Sequence, residues 1–544
     1  MQTVTASLIE AIKKASGQKD IRLEAPQLNE HGDYSSNIAL TAGLNAQEIA
    51  DQLSKNSTLK QFVSKIEVVK PGFINFFLSQ EYLLQAANEV LEQKNKYGSS
   101  KLGENKTVLV EYSSPNIAKR FAIGHLRSTI IGQALYNLYK FSGYKVVSEN
   151  HLGDWGTQFG TLLYQITNQN IKPDKLDLDK LEELYVDFNQ KAQGDLKLWD
   201  EAKAWFKKLE EGDDQARKIW AEVRESSLKE FEKIYRLLGV HFDNMHGESF
   251  YEDKMPEIIQ MAKTKKLAKE SQGALIMELK GMPPGILVKS DGTSTYFTRD
   301  LAAIAFRVKS WQPDEIIYEV GSDQILHFRQ VFTAAKLLGI TKDTKLTHVA
   351  HGLIRFEDGK MSTRKGKTVK LEEVLEKAIE KAGKFNSKVA EDVGLGAVKY
   401  FDLMHSPTSD IVFDWEKIFV LEGNSGPYLQ YTLARIWSVL AKLKTQNSKF
   451  KVAAENLKLN EEEFSLLRSF AQFQGVISSA VKNYSPNLLC NYLFDLAQKY
   501  NAFYAKHQIL NTQYQDSRLA LTAATGQILI NGLTILGIQA PSEM

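Results

Sequence analysis

Apolar residues at the start of the chain fall one helical turn apart. In MQTVTASLIEAIKKAS, Val4, Leu8 and Ile12 are separated by polar residues, which predicts an amphipathic helix. Strand-like runs follow at KIEVVK (65–70) and GFINFFLS (72–79), so residues 1–100 read as a small α+β module. The run KNKYGSSKLGENK (94–106) is polar, carries Gly98 and Gly103 and has no apolar period; it reads as a linker. VLV (108–110) marks a buried strand. GILV (285–288), EIIYEV (315–320) and THVAHGLI (347–354) continue strand-like runs between helical periods. Residues 172–240 are rich in Lys, Glu, Asp, Leu and Trp at helical spacing, a helical insertion with a solvated charged face. From 416 onward Gly and Pro thin out and apolar residues recur every three or four positions, which predicts an all-helical domain over 416–544. The alternation over 107–415 argues for an α/β fold with a doubly wound parallel sheet. Ligands in such sheets sit beyond the carboxyl ends of the strands, where the strand order reverses.

Composition narrows the classes. The 544 residues allow about three or four domains, and 43% hydrophobic with 25% charged residues excludes wholesale disorder. No apolar run approaches the ~18 residues of a membrane-spanning helix, and the first residues lack the compact apolar stretch of a secretory signal. The single cysteine, Cys490, excludes a disulfide framework and any multi-cysteine zinc or iron–sulfur site. A reducing, cytoplasmic compartment is expected. The net charge of +2 distinguishes nothing. Residues 426–544 carry 11 Lys/Arg against 7 Asp/Glu, a modest basic bias that fits a polyanionic partner.

Two segments carry chemistry. In VLVEYSSPNIAKRFAIGHLRSTIIGQALYNLYKFSG (108–143), an apolar strand runs into a polar loop. Gly124 and His125 then open a helix with an apolar face of Leu126, Ile130, Ala134, Leu135 and Leu138, and Gly143 stops it. Free backbone amides and the positive end of the helix dipole would face the loop, an arrangement suited to phosphate. Gly124 clears space for a ligand, and His125 supplies a donor that is charged or neutral. Neither a dinucleotide fingerprint nor a P-loop occurs at this or any position. In HGLIRFEDGKMSTRKGKTVKLEEVL (351–375), Lys360, Arg364, Lys365 and Lys367 cluster between glycines. A basic loop over a triphosphate would balance charge moving onto departing pyrophosphate. Alone, the first segment reads more plainly as a strand–loop–helix with an incidental Gly–His pair, and the second as a solvated basic turn.

Together the segments resemble the class I aminoacyl-tRNA synthetases, and among them the arginyl-tRNA synthetases. SPNIAK…IGHLRST and GKMSTRKG match that family closely. So do HGDYSSNIA (31–39), HLGDWGTQFG (151–160), TYFTRDLAA (295–303), VGSDQILHF (320–328), GPYLQYTLAR (426–435) and the ending LGIQAPSEM. The resemblance runs through the whole chain in order. It implies a Rossmann-type catalytic core, an N-terminal domain on the tRNA elbow and a helical anticodon-binding C-terminal domain. Three departures stand out. Ala122 occupies the place of the first histidine of His-x-Gly-His, so that residue's contact with ATP is lost or taken by another group. The basic loop reads Lys360–Met361–Ser362–Thr363–Arg364, leaving Arg364 or Lys365 to cover the charge of a second lysine. The chain ends Pro-Ser-Glu-Met where an arginine before the last residue is common in the family.

What the resemblance implies is arginyl-adenylate formation from ATP and arginine, with magnesium travelling with ATP, followed by transfer to tRNA. No protein nucleophile is required, only positioning and charge stabilisation. His125 and Lys360 are the expected catalytic residues. Ser113, Gly124, Met361 and Ser362 join them on ATP. Glu111, Asn116, Tyr296, Asp300 and Gln324 are expected on arginine, with Tyr296 and Asp300, four residues apart, at the guanidinium. The division among the other three is open. Trp155 reads equally as core or as part of the active site. No resident metal is expected. Phe73, Asn75, Tyr431, Arg435 and Met544 match tRNA-contact positions, and a monomer follows from the same resemblance. A small-molecule nucleotidylyltransferase and a catalytically silent tRNA-binding paralogue are the competing readings.

Overall fold

The structure is a computed structural model in which residues 4–26, 29–172, 176–356, 369–442, 452 and 459–544 are described. Its centre is a four-stranded sheet in the order Lys345–His351, Glu315–Gly321, Thr107–Glu111, Lys145–Glu149, parallel throughout. The chain builds the two strands on one side, then returns across the sheet to build the other two. Strand order therefore reverses between Thr107–Glu111 and Glu315–Gly321, and the crevice beyond Glu111 and Gly321 is the expected ligand position.

Two strand-like runs behave differently from the simple alternation. GILV forms Gly285–Val288, which pairs antiparallel with Ala274–Met277 in a separate small sheet completed by Ala268–Ser271. A short apolar run marks a buried strand but does not choose its partner. THVAHGLI divides at Gly352: Lys345–His351 lies in the central sheet and Ile354–Phe356 pairs with Ile411–Phe413. A Cβ at Gly352 would stand 2.5 Å from the Ser409 carbonyl carbon, so only glycine allows this turn.

Helices Leu178–Lys191, Leu196–Glu211 and Asp214–Leu238 occupy the charged stretch. Each begins at an aspartate, Asp177, Asp195 or Asp213, whose side chain accepts a first-turn amide. The C-terminal bundle contains Gly426–Ala441, Glu461–Asn483, Asn487–Lys506 and Gln515–Ile535. Asn460 and Glu463 form a reciprocal capping box at the second of these. Gln515–Ile535 packs against the other three and is apolar on nearly every side, as a central helix must be.

The N-terminal module is an antiparallel sheet, Tyr34–Ser36, Phe73–Leu78 and Val63–Val69, backed by helices that include Val4–Ser16. It is joined firmly to the C-terminal bundle. Helix Gln80–Gln93 packs on Glu461–Asn483 and Gln515–Ile535, and Arg468 pairs with Asp33 at 3.0 Å. The polar run 94–106 is itself tied down. Tyr97 is buried, stacks on Phe473 and donates to the Phe470 carbonyl at 2.8 Å; Asn531 donates to the carbonyls of Lys94 and Tyr97. One tyrosine among polar neighbours leaves no period to read, although it carries the contact.

Candidate active site

The chain between the first central strand and helix Gly124–Phe141 turns sharply. Ser113, Ser114 and Ala118 all have left-handed backbone, φ 72°, 45° and 61°, a costly conformation for residues with a Cβ. Neighbours hold it. The Ser113 amide donates to Ser128 Oγ at 2.9 Å, Ser114 to Asn150 Oδ1 at 3.1 Å, and Ala118 to Ser227 Oγ at 3.0 Å. The Ser113 hydroxyl lies buried between Thr129 and Tyr235, at 2.8 and 2.9 Å, so it shapes the loop from inside. Asn116 is exposed where the loop bridges to Gly153. A Cβ on Gly153 would stand 2.2 Å from Asn116 Oδ1.

His125 sits in the first helical turn, half-buried. The Ala122 amide donates to His125 Nδ1 at 3.0 Å. Nδ1 also lies 3.2 Å from the Ala122 carbonyl, so it is engaged by the Ala122 backbone on either tautomer and Nε2 is left for a ligand. Burial lowers the pKa of His125, with Lys119 and His351 adding to the effect against the Ala122 backbone; the ring is a neutral donor at neutral pH. The turn is tighter than the sequence implies: His125 and Leu126 amides bond to the Ala122 and Ile123 carbonyls. Fewer free amides face the loop than an open helix start would offer.

Lys360, Met361, Ser362, Arg364 and Lys365 lie outside the described residues. The segment immediately after them is placed. Ile123 donates to the Val369 carbonyl at 3.1 Å and Leu371 to the Phe121 carbonyl at 2.9 Å, which brings the end of the second motif onto the start of the first. Arg120 adds ion pairs to Asp179 and Glu372, and Lys370 pairs with Asp179.

Beside this loop lies a carboxylate-rich pocket. Glu111 and Glu149 end neighbouring strands and share the buried guanidinium of Arg307. Burial alone would raise Glu149, but Arg307, His246 and Tyr251 outweigh it and hold the carboxyl at about 2. Asp300, in the second turn of helix Tyr296–Trp311, pairs with His327 Nε2 at 2.5 Å. Burial pushes Asp300 up, yet the bond and charge of His327 win and lower it; His327 is raised in return. Tyr296, one turn earlier and exposed, points its hydroxyl toward Gly156. Arg299 pairs with Glu252 at 2.7 Å and Glu248 at 3.6 Å. Glu248 Oε2 is buried with no hydrogen-bond partner among the described residues. Burial, opposed by Arg299 and reinforced by Asp300, raises Glu248 to about 8. Five carboxyls here face two arginines and two histidines, and the Glu248 oxygen without a hydrogen bond is where a cationic ligand would find an acceptor.

Sequence reasoning assembled Glu111, Asn116, Tyr296 and Asp300 at one end of the sheet. Gln324 is exposed on the short turn Ser322–Gln324 that follows Gly321. Trp155 is core: 2% exposed, edge-on to Phe206 and Trp220. Glu248, Glu252 and His327 were missed. Glu248 and Glu252 lie outside the matching segments, His327 lies within VGSDQILHF without having been singled out, and the fold brings all three to the neighbourhood of Asp300.

At the far end, Tyr431 and Tyr504 are exposed, and the Arg435 guanidinium lies 5.0 and 5.1 Å from their ring centres. Asn501 fixes Arg435 at 2.6 Å. Tyr504 was not among the expected contacts, because it joins the pair from another helix. Met544 is half-buried. In the N-terminal sheet Phe73 is exposed, whereas Asn75 is buried and accepts from Ser35 Oγ at 2.7 Å.

A parallel sheet with its crevice at the order reversal, a Gly–His helix start over it and a cation-seeking pocket beside it define a class I synthetase core. The family model described as tRNA synthetases class I (R), catalytic domain, matches residues 86–415. Arginyl tRNA synthetase N terminal domain matches 2–78 and DALR anticodon binding domain 429–544. The arginine–tRNA ligase of Clostridioides difficile is 40% identical over 96% of this chain and 95% of its own. That of Clostridium beijerinckii is 41% identical over 98% and 97%. The solved arginyl-tRNA synthetase of Plasmodium falciparum superposes with a TM-score of 0.85 at 26% identity, over all of both chains. The chain belongs to the arginyl-tRNA synthetase (arginine–tRNA ligase) family.

Proposed function

We propose that the protein ligates L-arginine to tRNA(Arg) in two steps. An oxygen of the arginine carboxylate attacks the α-phosphorus of ATP; the new P–O bond forms as the bond to pyrophosphate breaks, giving arginyl-adenylate. A hydroxyl of the terminal tRNA ribose then attacks the acyl carbon and AMP leaves. The observation that carries this reading is the cluster of carboxyls at the carboxyl end of the sheet, with Glu248 Oε2 buried and lacking a hydrogen bond among the described residues.

Roles follow from the chemistry available. The His125 Nε2–H and the helix start stabilise charge on the phosphates, with Gly124 giving room and Lys360, Met361 and Ser362 completing the ATP site. Loss of one such donor costs roughly 10²–10³ in rate. Ser113 acts through the loop it holds. Asp300, Tyr296 and Glu248 meet the guanidinium, whose five donors in one plane suit carboxylates and a phenol oxygen. Glu111 acts through Arg307, and Asn116 and Gln324 hold the α-amino and α-carboxylate end. Magnesium arrives with ATP and neutralises the phosphates. Tyr431, Arg435 and Tyr504 form a stacking platform for unpaired bases, Met544 adds a tRNA contact from the end of the chain, and Phe73 meets the tRNA elbow over the sheet that Asn75 braces. The protein works as a cytoplasmic monomer, which sedimentation of the purified chain checks.

Amino-acid-dependent ATP–pyrophosphate exchange, with and without tRNA(Arg), tests the proposal. Exchange is expected with arginine, strongly stimulated by tRNA, and little with lysine, which leaves buried acceptors unpaired. Exchange with another amino acid, or none under any condition, would refute it.

A further inference from the structure

We infer that His351 supplies the nucleotide contact that the signature loses at Ala122. The inference rests on the ligase reading above and deepens it. Ala122 has no polar side chain, and its amide already donates to His125 Nδ1 at 3.0 Å. Something else must offer a donor from that side of the crevice.

His351 is the last residue of strand Lys345–His351 and pairs in register with Gly321, the last residue of the neighbouring strand. Both border the crevice where the strand order reverses. His351 Nδ1 lies 2.9 Å from Glu319 Oε1, and Glu319 is fully buried. A carboxylate only accepts, so Nδ1 carries a proton and is committed inward. Nε2 is the outward atom. It stands 3.7 Å from where a Cβ on Gly321 would be, a point that lies 2.6 Å from Asp323 Oδ1; the absence of a side chain at 321 leaves room there, with the Asp323 carboxylate at its border. Among the described residues Nε2 has no hydrogen-bond partner, and the side chain is 12% exposed, enough for one edge to meet a ligand.

The setting favours a cation. Burial and Arg127 oppose charge on His351, but Glu319 and Asp402 prevail and raise its pKa. Arg127 is itself paired with Asp402 at 3.2 Å. The ring is held firmly, since Ser128 of the Gly124 helix donates to the Glu319 carbonyl at 3.0 Å. His125 and His351 are within electrostatic reach of each other. The crevice thus has one histidine at the helix start and a second, with its pKa raised, at the end of the edge strand. The ribose–phosphate part of ATP is the chemistry that accepts from both.

Two substitutions separate this role from a structural one. In His351→Asn the amide nitrogen takes the place of Nδ1 and keeps Glu319 paired, but nothing reaches the position of Nε2. In His351→Gln the amide nitrogen reaches Nε2. We expect His351→Asn to keep the melting temperature while raising the ATP KM in arginine-dependent exchange by roughly 10- to 100-fold, the worth of a charged hydrogen bond, with the arginine KM little changed. His351→Gln, and Ala122→His added to His351→Asn, should recover much of the loss. An unchanged ATP KM in His351→Asn, equal shifts for ATP and arginine, or no recovery in either second variant would overturn the inference. Absence of exchange by the unsubstituted protein would instead refute the ligase reading. A non-hydrolysable ATP analogue titrated calorimetrically into wild type and His351→Asn then still decides: equal affinities overturn the inference and weaker binding by the variant upholds it.

Discussion

Asp300→Asn is the sharpest probe of the pocket, because it changes one charge and almost no volume. The carboxylate holds His327 Nε2 at 2.5 Å and shares its surroundings with the Glu248 oxygen that has no hydrogen bond among the described residues. Breaking one side of a buried ion pair costs about 3–5 kcal/mol, which at about 1.36 kcal/mol per decade is roughly 10²–10⁴ in affinity for a guanidinium. One effect works the other way. His327 is raised through its bond and charge interaction with Asp300, against burial; without the anion only burial acts on it and lowers it, so positive charge leaves the pocket along with the negative one. The lower end is therefore expected, about a 100-fold rise in arginine KM, with the ATP KM within a few-fold of wild type. Exchange kinetics with each substrate varied in turn, in the presence of tRNA, measure both. A rise below tenfold, or a matching rise for ATP, would show that Asp300 does not face the guanidinium.

Three further expectations follow from the geometry. Glu248 is raised to about 8, so below that pH the empty pocket holds it protonated; a bound cation needs the anion, and arginine KM should fall as pH rises toward 8 and level off above it, a slope that Glu248→Gln abolishes. Lys399 is buried, donates to the Leu238 and Gly537 carbonyls and is lowered by burial to about 8; the unfolded chain binds the extra proton between pH 8 and about 10.4, so stability should rise across that window by about 3 kcal/mol and Lys399→Met should flatten the denaturation profile. Removing one ring at the far platform, by Tyr431→Ala or Tyr504→Ala, should raise the tRNA KM in aminoacylation by roughly 5- to 150-fold per stacked base and leave tRNA-stimulated exchange at saturating tRNA near normal.

The parts of the molecule that obey a local rule were readable in advance. The parallel core announced itself through VLV, EIIYEV and THVAH, and the Gly124 helix through its apolar face and the stop at Gly143. Asp300 and Tyr296 were legible as a pair because four residues on a helix is a distance as well as a spacing. What escaped was everything set by tertiary approach. Glu248 and His327 come from segments 52 or fewer residues from Asp300, yet no periodicity connects them. Ser113 was expected on ATP from the family resemblance, while the fold turns its hydroxyl inward to Thr129 and Tyr235. Asn75 was expected at a tRNA contact from the same resemblance, yet it is buried and Ser35 occupies its acceptor. A polar residue declares its chemistry in sequence; which neighbour answers it depends on packing.

The contacts of Asp33 with Arg468, of Asn88 with Val452 and of Tyr97 with Phe470 bolt the first module of the chain to its last. Phe73 at one end and Tyr431 at the other are consequently mounted on a common frame, like the jaws of a caliper locked at one setting. A folded polymer that touches both must have the matching span, so length itself becomes a criterion of selection before any base is read.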